Sequence, residues 1–94
     1  MSDQDKKARR VCIHKEPYDV CIMRPSIYGN PFSIGRDGTR AEVVAKFRKY
    51  FDERIHDSIP FCIAVGKLRG LRLGCCCKVS EECHGDIYIE WLNR

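Results

Sequence analysis

The chain lacks any apolar run approaching the roughly 20 residues that cross a bilayer. Its charged start, MSDQDKKARR, is followed by no signal-type apolar stretch. A membrane span is therefore not expected, and neither is secretion. There is no internal repeat and no low-complexity segment. The formal charge of +4 is too small to mark a nucleic-acid binder by itself. What remains is bounded by size: 94 residues have room for one domain around one small core. Hydrophobic residues at 44% and charged residues at 32% fit an ordinary globular chain and exclude global disorder.

Against these absences stands an excess of seven cysteines. An odd count without a secretory signal argues against a disulfide framework and for a reducing, cytoplasmic setting. Cys12, Cys21 and Cys62 stand singly among apolar or β-branched neighbours and read as small buried hydrophobes. Cys75, Cys76, Cys77 and Cys83 are crowded together beside His84 and Asp86, more closely than packing alone requires. Charge is uneven as well. Lys67, Arg69, Arg72 and Lys78 face no acid between residues 67 and 78, whereas Glu81, Glu82, Asp86 and Glu90 outnumber Arg94 thereafter. The basic strip reads either as a solvated face or as an attraction for an anion, nucleic acid included. Residues 1–10 read as a flexible basic leader, leaving 11–94 as the domain.

Short strands are expected over 11–13 and 19–23, with a turn over 15–18. Two prolines, a glycine and an asparagine exclude regular structure from residues 24–32. Thr39 followed by Glu42 is a capping box, and Val43, Val44, Phe47, Phe51 and Ile55 recur at helical spacing, so a helix is expected over 40–55. Residues 58–69 have strand-like apolar content. Ser58 and Pro60 nevertheless suit a helix start, and Phe61, Val65 and Leu68 share one helical face. A strand over 71–75 follows Gly70. A last helix starts near 83–86, with Ile87 and Trp91, and Tyr88 and Leu92, as paired contacts. The resulting order, β-β-α-(α)-β-α, describes a small single α/β domain with a short mixed or mostly parallel sheet of about three strands and two or three helices. The helical passage between the second and third strands is long enough for a crossover, so a parallel pair is expected. Both carboxyl ends then point to one sheet edge, where ligands of open α/β sheets bind. The 24–32 loop and the cysteine loop leave from that edge.

The segments IMRPSIYGNPF, GRDGTRAEVVAKF, LRGLRLGCCC and CHGD together resemble a small family of bacterial and phage domains of unknown function. Its pattern is an Arg-x-Ser-x-(Trp/Tyr)-Gly-Asn-Pro-Phe loop and a Cys-x-Cys followed by Cys-His-Gly-Asp. The resemblance spans about residues 11–93. It implies that Arg24, Ser26, Gly29, Asn30, Pro31 and Phe32, and Cys75, Cys77, Cys83, His84, Gly85 and Asp86, are the family positions. Met23 stands where the family usually has glycine, and Tyr28 and Cys76 stand where tryptophans are common. Cys76 is accordingly the clustered cysteine with least claim to chemistry. The resemblance implies no activity.

Three readings of the cluster follow. In the first, the two loops form a pocket for a nucleotide or related anionic small molecule. Arg24 forks onto a phosphate, Ser26 and Asn30 supply polar contacts, Tyr28 or Phe32 stacks on a ring, and Cys75 completes the wall. Cys83 and His84 would lie at a helix N-terminus, a setting that lowers a thiol pKa. A thiolate at Cys83 or Cys75 would act as nucleophile with His84 or Asp86 carrying the proton, if there is turnover. In the second, Cys75, Cys77, Cys83 and His84 close around zinc and make a non-enzymatic module that touches nucleic acid or a host protein through Lys67, Arg69, Arg72 and Lys78. Cys-x-Cys on an extended chain points its sulfurs to opposite faces, which weighs against this set. In the third, the cysteines pack in the sheet, Asp86 stabilises a helix start and His84 fills a polar gap. Reversible disulfide formation between neighbouring thiols is a lesser alternative. His14 and His56 acquire no role, and Trp91 and Tyr88 read as core. The pocket is favoured, in a cytoplasmic protein that is phage-encoded within a bacterial host or belongs to the bacterium.

Overall fold

In the computed structural model, which describes residues 7–78 and 80–94, Thr39 opens the longest element. Its hydroxyl accepts from the Glu42 N–H at 3.3 Å, and the Glu42 carboxylate accepts from the Thr39 N–H at 2.8 Å. The reciprocal pair starts helix α1, Arg40–Asp57, whose buried stripe is Val43, Phe47, Phe51 and Ile55. Ser58 ends α1 and begins α2, Ile59–Gly66, by accepting the Phe61 N–H at 3.3 Å. The ambiguous segment is thus a short helix burying Phe61 and Val65. The last helix, α3, is Gly85–Leu92, with Ile87, Tyr88 and Leu92 inward.

Three short strands complete the domain: β1 Arg9–Cys12, β2 Val20–Cys21 and β3 Arg72–Cys75. The sheet is parallel throughout, in the order β1-β3-β2. Val11 aligns with Gly74 and Cys12 with Cys75, while Cys21 aligns with Gly74 from the other side. Strand β2 is shorter than the 19–23 segment expected. The expected leader also needs correction at its end. Arg9 and Arg10 belong to β1, and buried Ala8 exchanges two hydrogen bonds with the Asn93 side chain, at 3.0 and 2.8 Å. These residues are held by partners far along the chain, which local composition does not reveal. Residues 1–6 of that segment lie outside the described residues.

Parallel strands that follow one another in sequence usually need a crossover of about a dozen residues or more. Here residues 13–19 return from the end of β1 to the start of β2 without a helix, and Gly74 makes that path fit. Leu73 and Cys75 of β3 turn toward the helices and join the core, so Gly74 between them faces the other way. A Cβ there would lie 2.6 Å from Tyr18 Cγ and 2.8 Å from Ile13 Cγ2. The short crossover therefore lies directly on the bare middle of β3, and Val11, which shares that face, is fully buried. On the helical side, aromatic rings fill the core. Phe47 and Phe51 pack on Tyr88 at 5.6 and 5.3 Å between centroids, and Phe61 and Trp91 flank Phe51.

Two consequences are testable. Gly74→Ala is expected to cost about 1–3 kcal/mol in urea unfolding, the usual range for overpacking. Adding Tyr18→Ala should recover part of that loss, because the colliding ring is gone. Glu42 is held below its ordinary value by the Thr39 backbone N–H and then by the Thr39 side chain. A carboxylate so lowered stabilises the fold above its unfolded pKa and ceases to do so as pH falls through the folded one. Stability measured across the acid range should therefore fall less steeply in Glu42→Gln than in the unaltered chain.

Candidate functional site

The carboxyl edge of the sheet delivers the cysteine cluster. Cys75 is the last residue of β3, and the chain bends immediately after it. The loop returns to Cys83, just before α3, and Arg10 holds it in place. That guanidinium, on a side chain only 5% exposed, donates to the Lys78 and Glu81 carbonyls at 3.1 and 2.7 Å and to Asp86 Oδ1 at 3.0 Å. Asp86 Oδ2 accepts the Cys83 N–H at 3.1 Å. Close approach of the first α3 turn to the sheet requires Gly85, whose added Cβ would sit 2.8 Å from both Arg10 Cδ and Ile22 Cδ1.

These supports bring three buried side chains together. Cys75 Sγ and Cys83 Sγ are 3.2 Å apart, and Cys83 Sγ is 3.6 Å from His84 Nδ1. His84 Nε2 lies 2.8 Å from the Ile22 carbonyl oxygen, which only accepts, so Nε2 carries the proton. Burial holds His84 below its ordinary pKa, and with the proton on Nε2 the Nδ1 lone pair faces Cys83 Sγ. Cys75 is drawn down to about 5, chiefly by the hydrogen bond from the Cys83 thiol and, against the cost of burial, by the Cys77 N–H and side chain. Cys83 is pushed up because it is the donor to Cys75 and is buried as well. Within the pair the shift favours the thiolate at Cys75 over Cys83, the reverse of what the helix N-terminus alone suggests for Cys83.

A cavity of about 460 Å³ opens over this cluster. Cys75, Cys83 and His84 form part of its lining, together with Cys76, Cys77 and Glu82. The first loop contributes Arg24, Asn30 and Phe32, and Met23, Val43 and Val44 add apolar wall. Arg24 donates to Ser33 Oγ at 2.6 Å and makes no ion pair among the described residues. Asn30 spends its amide on the turn, accepting from the Phe32 N–H at 2.9 Å and donating to the Val43 carbonyl at 3.3 Å. Phe32 presses its edge against Tyr50.

Other sequence-selected residues stand behind the wall. Ser26 accepts the Tyr28 N–H within the loop at 3.1 Å. The Tyr28 hydroxyl donates to the Ala64 carbonyl at 2.8 Å, and its own carbonyl accepts from Tyr88 at 2.9 Å. Tyr28 therefore ties the loop to α2 and α3 and is not among the residues lining the cavity, and neither are Ser26 and Asp86. The four-residue zinc set is not assembled as one cluster. Cys75, Cys83 and His84 bring their ligand atoms within 4.8 Å of one another, whereas Cys77 groups with Cys75 and Cys76. Because the strand ends at Cys75, Cys-x-Cys does bring its two sulfurs near each other, contrary to the extended-chain expectation.

Arg40 is the cavity residue that sequence reading missed. It is the first residue of α1, and its Nη1 lies 3.3 Å from Cys77 Sγ and donates to the Glu82 carbonyl at 3.1 Å. Nη2 pairs with Glu81 at 3.4 Å. Its place one residue after the Thr39 cap was the available signal, since a first-turn side chain stands at the helix end that faces the loops. The basic strip, by contrast, does not run into the cluster. Arg72 begins β3, at the opposite end from Cys75, and is paired with Asp19 at 3.0 Å. Arg69 lies over Trp91. None of Lys67, Arg69, Arg72 and Lys78 is among the residues lining the cavity.

Among the described residues no helix is long and apolar enough to cross a membrane. No solved structure matches the chain. An uncharacterized 12.4 kDa protein in the nrdA-td intergenic region of Enterobacteria phage T4 is 37% identical to it over 94 residues, 99% of this chain and 84% of that protein. Residues 5–94 match the family described as Domain of unknown function (DUF4326). With the match running through both motif loops and all three helices, the chain belongs to this family, a phage-associated α/β domain of unknown function.

Proposed function

We propose that the domain binds a small anion bearing a heteroaromatic ring, a nucleotide or close relative, in the cavity between the 24–32 loop and the 75–86 loop. The observation that carries this reading is the pairing of two arginines with an apolar wall around one hollow. Arg24 has no carboxylate partner among the described residues, and Arg40, which lines the hollow beside Cys77 and Glu82 although its Nη2 also pairs with Glu81 at 3.4 Å, adds a second guanidinium. Arginine at such a place recognises phosphate or carboxylate through forked N–H donors. Met23, Phe32, Val43 and Val44 supply a surface for a ring. The volume falls within the ordinary range for small-molecule pockets, about 300–1,000 Å³.

Cys75, whose thiol pKa is drawn down, is part of the same lining and would be the nucleophile should the bound molecule be processed. A closed zinc staple has less support, because the Cys77 sulfur is engaged by Arg40 and lies outside the buried triad. Nucleic-acid binding through the basic strip also has less support, since Arg72 is paired with Asp19 and Arg69 lies over Trp91. Seven free cysteines fit a reducing compartment, and the proposed setting is the cytoplasm of a bacterial host.

Thermal shift and calorimetry against nucleoside mono-, di- and triphosphates test the reading. At about one hundred times Kd, a ligand should add about 2.7 kcal/mol of stability and raise Tm by the order of 10 °C. Arg24→Ala should weaken binding about ten- to hundredfold, the value of a charge-assisted contact. Ser26→Ala should leave affinity unchanged, because its hydroxyl is turned to the loop backbone. If no ligand moves the unaltered chain further than Arg24→Ala, nucleotide binding is refuted.

A further inference from the structure

We propose that Cys75, Cys83 and His84 hold one zinc-like dication whose fourth coordination position opens into the cavity. The open position rests on the cavity read above as a ligand pocket; the three-residue ligand set does not.

The geometry is close to what the metal needs. With Zn–S about 2.3 Å and Zn–N about 2.0–2.1 Å, tetrahedral angles place two sulfur ligands about 3.8 Å apart and a sulfur and a nitrogen about 3.6 Å apart. The Cys83 Sγ to His84 Nδ1 distance is 3.6 Å, and Cys75 Sγ to Cys83 Sγ is 3.2 Å. Each sulfur has to move outward by about 0.3 Å. The third edge, from Cys75 to His84, lies within 4.8 Å. The donor types are soft thiolate and neutral imidazole, the set that selects zinc over calcium or magnesium.

The outer partners match as well. A metal-bound histidine commonly donates its other N–H to a carbonyl or carboxylate, which fixes the tautomer and aims the free nitrogen. His84 does this through Nε2 to Ile22. The Gly85 N–H points to Cys83 Sγ at 3.5 Å and supports negative charge on that sulfur. Two thiolates and a dication sum to zero, which suits residues 2%, 2% and 8% exposed. Cys77 would complete a closed staple, but its sulfur is at Arg40 Nη1, 3.3 Å away. All three ligands line the cavity, so the remaining position faces it. Structural zinc closes its tetrahedron with protein, whereas a site with three protein ligands keeps a place for water or a substrate oxygen. The ligand class that follows is an anion with one oxygen on the metal and the rest of its charge on Arg24 or Arg40.

Anaerobic titration of the full, reduced chain with Co2+ tests this, with Zn2+ as competitor. The expected result is one tight equivalent, a sulfur-to-cobalt charge-transfer band and visible bands of tetrahedral intensity, all abolished by Zn2+. Cys83→Ser and His84→Ala should each weaken binding by about a hundredfold or more, while Cys76→Ser and Cys77→Ser stay within about twofold. Inorganic phosphate should shift the visible bands by entering the open position. No uptake, octahedral bands, or a loss in Cys77→Ser equal to that in Cys83→Ser would each overturn the site. Bands indifferent to phosphate would overturn the open position. If Cys83→Ser fails to fold by circular dichroism, the unaltered chain and Cys77→Ser decide the matter. Arg24→Ala separates this site from the pocket reading: it should keep the cobalt spectrum while losing nucleotide. Metal without nucleotide would refute the pocket reading alone, and nucleotide without metal this site alone.

Discussion

The hydrogen bond from His84 Nε2 to the Ile22 carbonyl fixes the relation among the parts of the site. Ile22 follows β2, and its own N–H donates to the Gly74 carbonyl of β3 at 3.0 Å. One chain of bonds therefore joins the start of α3, the end of β2 and the end of β3. It also decides the chemistry of the ring. A carbonyl accepts only from a protonated nitrogen, so the lone pair is left on Nδ1, beside Cys83. Aromatic packing adds a second constraint, because Phe47 and Tyr88 hold the imidazole between them at 5.2 and 6.1 Å.

The two loops that carry the family pattern do different work. The 24–32 loop is mostly framework: Ser26 and Asn30 satisfy its own backbone, and Tyr28 fastens it to Ala64 and Tyr88. Only Arg24, Asn30 and Phe32 of the selected residues reach the cavity from it. The 75–86 loop presents the buried thiols and imidazole, and Arg10 holds it through the Lys78 and Glu81 carbonyls. Burying that guanidinium is tolerable because two carbonyls and a carboxylate surround it, which is the condition under which a charge leaves water without a large penalty. Arg10 thus holds the loop without lining the hollow, whereas Arg40 does both and Arg24 only lines the hollow.

Local chemistry in the sequence was enough for the helices. A capping box and a four-residue stripe specify α1 within two residues at its end, and Ser58 with Pro60 resolves the strand-like 58–69 segment because the cap is a local bond. The parallel pairing of β2 and β3 agrees with the expectation, since the helical passage between them is long enough for a crossover. What escaped was held by distant partners. Arg9 pairs in register with Arg72 and Ala8 bonds Asn93, so the start of the domain looked like a leader. Tyr28 looked like a stacking residue because nothing in the sequence shows that Ala64 and Tyr88 use its hydroxyl and carbonyl. Basic residues adjacent in sequence were separated by the direction of β3, and Arg40 was hidden because a helix start shows its cap more clearly than its aim.

The departures from the family pattern can now be ordered by position. Cys76 is exposed at the bend, and the Tyr28 hydroxyl is committed to α2, so neither substitution changes what lies deep in the pocket. Met23 is different. It stands where the resembling family usually has glycine, it packs partly against the core, and it lines the cavity beside Arg24. A flexible thioether at that point takes room from the hollow that a glycine would leave open. The cysteine and histidine positions of the pattern are kept, while the wall facing them has changed. On the proposed pocket reading, Met23 is the wall residue that sets how much room lies beside Arg24.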